Sequence, residues 1–118
     1  MAEPKSFDDL PMQMKMMLYV LYKNGMWPEN EKTDTRGRSL DDPIVINFAD
    51  EYVRIEYLVA QFLLHPKQYE FVMQSLLEKD NQYVDVLLYQ VTEEDGTIHD
   101  VQLYFDITVG YNALSKGL

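Results

Sequence analysis

Apolar and polar residues alternate most regularly between Tyr83 and Val109, in two runs hinged on Asp95-Gly96. A period of two marks strands that bury one face, and Asp-Gly is a preferred two-residue hairpin turn of type I′. A hairpin is therefore expected over 82–92 and 97–109. With Asp95 and Gly96 at its centre, Val84 faces Ile107, Val86 faces Phe105, Leu88 faces Leu103 and Gln90 faces Val101, all on one nearly apolar side. The reverse side pairs Tyr83 with Thr108, Asp85 with Asp106, Leu87 with Tyr104, Tyr89 with Gln102 and Val91 with Asp100.

Elsewhere the spacing is helical. An N-terminal helix is predicted over about 10–24, with Asp9 as its cap, Pro11 in its first turn and Gly25 in the left-handed position past its end, where Met26 can fold back on Leu21. Its residues Met12, Met14 and Met16 to Tyr22 cover more of the circumference than one buried face needs. Two covered faces are expected, inside the core or, given the adaptability of methionine, in a dimer or partner contact. Tyr69, Val72, Met73, Leu76 and Leu77 fall at the intervals of a single apolar stripe and predict a second helix, 66–79, after His65-Pro66.

The stretch 44–64 fits two templates. With period two, Ile44, Ile46 and Phe48 face Val53, Ile55, Tyr57 and Val59 as a second hairpin. With period 3.6, Phe48, Tyr52, Ile55, Val59 and Phe62 form a helical stripe after a short strand. The wealth of β-branched residues favours the hairpin, and a lone two-stranded ribbon needs more cover in any case. Residues 28–43 lack periodicity and read as a long polar loop, disordered or functional. Residues 1–8 and 113–118 are expected to be flexible ends. Together these features predict a single α+β domain over 1–118, an antiparallel sheet whose apolar face carries both helices.

Charge narrows the function. Among 118 residues, 20 are acidic and 10 are Lys or Arg. From Asp80 to Ser115 there are seven acidic residues and no Lys or Arg. Such a surface repels phosphate backbones and anionic membranes, so neither direct nucleic-acid binding nor a membrane role is expected, and a basic protein partner is. Without cysteine there is no disulfide, thiolate metal site or cysteine nucleophile. The first residues lack the order of a signal peptide and the longest apolar run is too short to span a bilayer, which implies a cytoplasmic protein.

No glycine-rich phosphate loop, nucleophile elbow or metal-binding spacing occurs, so no catalytic residue, metal or cofactor is assigned, and the chain is expected not to be an enzyme. His65 reads as a turn residue and His99 as a partly buried sheet corner. Two aspartates held opposite each other, Asp85 and Asp106, could raise one another's pKa and act as acid and base or hold a hard cation. The same face offers a second use: Tyr83, Asp85, Leu87, Tyr89, Asp100, Tyr104 and Asp106 form an acidic surface with aromatic area, suited to a partner protein. The expected function is thus a non-enzymatic interaction module, with a basic partner or as a homodimer through the methionine helix or a sheet edge. The alternatives are a nucleic-acid mimic that occupies a basic groove, and an Asp-dyad hydrolase or cation-binding enzyme.

Overall fold

The computed structural model describes residues 10–26 and 36–116. Three helices and four strands follow one another as α1 (Met12–Lys23), β1 (Ile44–Val45), α2 (Tyr52–Leu64), β2 (Gln68–Lys79), β3 (Gln82–Thr92), β4 (Ile98–Asp106) and α3 (Thr108–Lys116). The strands form one sheet in the order β1-β4-β3-β2, with β1 parallel to β4 and the other pairs antiparallel. The α+β class and the helix-covered sheet are as the sequence predicts.

At the start of α1, the Pro11 carbonyl accepts the N–H groups of Met14 and Lys15 at 3.0 and 3.1 Å. Asp9, the expected cap, lies outside the described residues. The far end follows the expected Schellman geometry: Gly25 has φ 71°, its N–H donates to Tyr22, and the Met26 N–H donates to Leu21 at 2.8 Å. That return puts Met26 in the core beside Leu21. The helix does not have two covered faces. Met17, Val20 and Leu21 are buried, while Met12, Met14, Tyr19 and Tyr22 are exposed.

Region 44–64 is a strand followed by a helix; the second hairpin does not form. Glu51 takes a left-handed conformation, φ 63°, and turns the chain into α2, which buries Ile55, Val59, Ala60 and Leu64. The helix stops at His65, which is extended as the residue before a proline must be.

Residues 66–79 are not a helix. Residues 68–79 form β2, with a bulge between Phe71 and Met73 that leaves Val72 unpaired. Opposite residues share a face, so Phe71 lies beside Tyr89 before the bulge, while Gln74 lies beside Leu87 and Leu76 beside Asp85 after it. The stripe read as one helix face is split in the strand, with Tyr69 and Leu76 on the α2 side, Met73 and Leu77 on the reverse and Val72 at the bulge, so apolar residues on both faces mimic helical spacing.

The hairpin forms between β3 and β4, but one step away from the expected register. Leu87 faces Leu103, Tyr89 faces Val101, Asp85 faces Phe105 and Val84 faces Asp106. The connection has three residues rather than two: Gly96 donates to the Glu93 carbonyl at 2.9 Å, Glu93 donates to Thr97 at 2.8 Å, and Gly96 alone has positive φ, 89°. A type I turn closed by a left-handed glycine has this form. Asp95 supports it by accepting the Thr97 N–H at 2.9 Å. Alternation on β3 could not reveal the shift, because Val84, Asp85, Val86 and Leu87 are buried in succession.

Strand β4 ends at Asp106, short of the predicted 109. Asp106 Oδ1 accepts the Thr108 N–H at 3.0 Å and the Thr108 hydroxyl at 2.6 Å, which starts α3. Residues 113–116, expected as a loose end, belong to that helix. Of the predicted loop 28–43, residues 36–43 are turns that fold against β4: Gly37 donates to Asp42 at 2.7 Å and accepts the Tyr104 N–H at 2.8 Å. The remainder of the loop and the predicted flexible 1–8 lie outside the described residues. One hydrophobic cluster joins the helices to the sheet, with Leu21, Met26, Ile44, Ile46, Ile55, Leu87, Leu103 and Phe105 at its centre.

Candidate functional site

The register of the hairpin decides the fate of the predicted partner face. Asp85, Leu87 and Tyr89 point toward α2 and are buried. Tyr104 and Asp106 pair with Val86 and Val84, and Asp100 with Gln90, so these three stand on the other side of the sheet. Tyr83 stacks on Tyr111 of α3, with ring centroids 3.9 Å apart. The seven residues therefore do not share a surface. Asp85 and Asp106 do not face one another and form no dyad.

Asp85 meets a different carboxyl group. Glu56, in the second turn of α2, has no exposed surface and neither of its oxygens has a hydrogen-bond partner. Burial, and then the adjacent Asp85 carboxylate, push its pKa from 4.5 up to about 10, so Glu56 keeps its proton at neutral pH. Asp85 is held from the other side: Gln74 Nε2 donates to Asp85 Oδ2 at 2.9 Å, and the Tyr57 hydroxyl donates to Gln74 Oε1 at 3.0 Å. Burial, together with Glu56 and Asp85, also raises the pKa of Tyr57. These residues form a polar seam linking α2, β2 and β3. Clefts of about 340 Å³ open elsewhere, one between the starts of α2 and the end of α3 and one by Arg36, Lys79 and Asp106. Among the described residues no group of three or more His, Asp or Glu side chains is arranged to hold a metal ion. Glu56 and Asp85 thus place two buried carboxyl groups near one another between α2 and β3.

His65 is exposed in the turn before β2. His99, predicted as a partly buried sheet corner, faces Val91 and is exposed, with its Nε2 3.6 Å from Glu93. Glu93 also pairs with Lys67 at 2.6 Å, and these contacts hold its pKa below the usual carboxylate value.

The surface that sequence reasoning missed is β2 itself. It closes the sheet on one side with β3 as its only strand neighbour among the described residues. On the opposite side of the sheet, β1 and Gly37 take up hydrogen bonds of β4 at residues 104–106. Strand β2 spans 12 residues, about twice the common strand length. Phe71, Val72, Met73, Leu76 and Leu77 are each 38–51% exposed along it. Natural sheet edges are usually short, charged or covered, because an open one is a template for another strand. A run of 12 residues with only Glu70, Glu78 and Lys79 charged was the available signal, hidden by its helix-like spacing. Phe71 also packs edge-on against Tyr57 and Tyr89, with centroids 5.6 Å apart in each pair, so ring contacts join the outermost strand to α2 and β3.

No helix among the described residues is long and apolar enough to cross a membrane. Comparisons of the chain with protein-family models, with curated proteins and with solved structures return no match.

Proposed function

We propose that this protein is a non-enzymatic interaction module that binds another polypeptide by strand addition along β2. The single observation that carries this reading is the combination on one strand of an open hydrogen-bonding edge and five half-exposed large apolar side chains. Backbone hydrogen bonds supply affinity in such contacts, and alternate side chains supply selectivity. The acidic balance of the chain adds a preference against acidic partners and slows encounter with them. The hydrogen-bonded line Tyr57, Gln74 and Asp85 supports the reading, since it ties β2 to α2 and β3 and so favours a preformed edge.

The test is a capture experiment read by amide exchange. Wild-type protein and the double variant Met73→Lys, Leu77→Lys are exposed to native host extract, and deuterium uptake along 68–79 is followed in whatever complex forms. Slower uptake in β2, together with loss of the complex in the double variant, is expected. A complex that forms equally well with both baits, leaving exchange in β2 unchanged, removes the proposal.

A further inference from the structure

Building on the strand-addition reading above, we infer that the chain that docks on β2 is a second copy of this protein, its own β2 running antiparallel across a two-fold axis at Ser75.

Geometry restricts how β2 can pair with itself. Along a strand, side chains alternate between faces while N–H and C=O groups alternate between edges, so outward pairing matches residues of one face. The pairing with β3 assigns those faces: Tyr69, Phe71, Gln74, Leu76 and Glu78 on the α2 side, and Glu70, Met73, Ser75, Leu77 and Lys79 on the reverse. Counting around the bulge at Val72, an axis at Ser75 sets Glu70 against Lys79 of the second copy, Met73 against Leu77 and Gln74 against Leu76. The pair Glu70 and Lys79 then occurs twice, once at each end of the seam, while Glu78 falls against Phe71. Moving the axis one residue either way sets Glu70 against Leu77 or against Asn81, and the match is lost. Ser75, the smallest side chain of the strand, is the one that meets itself on the axis.

The symmetry of the contact makes such a pair finite. A two-fold pairing of β2 with β2 uses the same edge of both copies, so each edge is consumed by the other and this contact stops at two. The five exposed apolar side chains supply on the order of half of the ~800 Å² that each partner buries in a typical stable interface, and the strand backbone with its polar side chains supplies more. Charge sets a condition on this. Two copies at −10 repel, but β2 holds two acids and one base, a net of −1, so the seam itself carries little of that charge. Screening should therefore strengthen the pair, the reverse of what salt does to binding of a basic protein.

Sedimentation of the wild-type protein from about 1 to 300 µM, a span covering micromolar affinities, is expected to show a reversible dimer that tightens as salt rises. Glu70→Lys should weaken it and Glu70→Lys with Lys79→Glu should restore it. Because the natural chain has no cysteine, single variants give a clean map: Ser75→Cys should cross-link to its own copy under mild oxidation, and Phe71→Cys and Lys79→Cys should not. A monomer at every concentration and salt overturns the second copy while leaving strand addition to a foreign chain open to the capture experiment. A dimer that survives Met73→Lys with Leu77→Lys, or that cross-links through Met14→Cys on α1 rather than Ser75→Cys, places the seam elsewhere and overturns it too. Circular dichroism of each variant guards against loss of fold.

Discussion

The side chain of Asn24 and the backbone of Val45 form two hydrogen bonds with each other: Asn24 Nδ2 donates to the Val45 carbonyl at 2.9 Å, and the Val45 N–H donates to Asn24 Oδ1 at 2.8 Å. A side-chain amide here completes a strand of only two residues. Nδ2 also donates to the Val20 carbonyl at 2.7 Å, and Arg36 Nη1 donates to the Asn24 carbonyl at 3.2 Å. The end of α1, the start of the sheet and the loop beside it thus meet at one buried residue.

Asn24→Ala is expected to strand the N–H and carbonyl of Val45 away from water, at a cost of about 2–3 kcal/mol. Urea unfolding should show a lower midpoint at an unchanged slope, since the compactness of neither state is altered. A shift under about 0.5 kcal/mol, the size of ordinary surface changes, would mean that the bonds contribute little.

Glu56 predicts an unusual pH dependence. Its folded pKa, about 10, lies above the ordinary 4.5. Below 4.5 folded and unfolded chains both hold the proton. Between 4.5 and about 10 only the folded chain does, so unfolding releases it, and stability falls with rising pH by up to about 1.4 kcal/mol per pH unit. Glu56→Gln has no proton to release. The variant should gain on the wild type steadily between pH 5 and 9, as measured by urea unfolding at each pH; parallel stability curves would show that Glu56 is ionised in the fold.

The opposite sign belongs to Glu93, whose carboxylate is held by Lys67 first and by His99 as well. Its folded pKa is depressed, so its stabilising effect is present above the ordinary carboxylate pKa and is lost as pH falls through the folded value. The difference in melting temperature between wild type and Glu93→Gln should be visible at pH 7 and vanish in acid. A difference that persists under acid conditions would implicate packing instead.

Two glycines with positive φ separate backbone strain from crowding. At Gly96 nothing lies within 4 Å of an added Cβ, whereas at Gly37 a Cβ would sit 2.6 Å from Ile44 Cδ1. Gly96→Ala should therefore cost about 1 kcal/mol from conformation alone, and Gly37→Ala should add roughly 1–3 kcal/mol of overpacking against a core side chain. Equal losses by chemical denaturation would show that Ile44 yields freely.

What was legible in the sequence, and what was not, follows the same division. The end of α1 is spelled locally, because Gly25 and Met26 satisfy the last carbonyls within a few residues of their own positions. The existence of the hairpin was equally local, since a glycine was needed for a positive φ between two strand-forming runs. The stretch 44–64 kept two readings because its apolar residues satisfy both periods. The proposed acidic aromatic face failed through one residue of turn length: Glu94, Asp95 and Gly96 form a three-residue connection, and that moved Asp85 and Tyr89 under α2 and left Tyr104 and Asp106 behind.

By itself, then, the chain determined its class, its N-terminal helix with the stop that ends it, and the place where it doubles back, since each of these depends on conformational preferences spanning a few neighbouring residues. Only the assembled structure decided that 68–79 is a strand, that Glu56 stands near Asp85, and that β2 has β3 as its one strand neighbour among the described residues. Those outcomes depend on which residues meet across long stretches of sequence. A bulge at Val72 or a turn longer by one residue changes every such meeting while scarcely changing the local pattern that announces it.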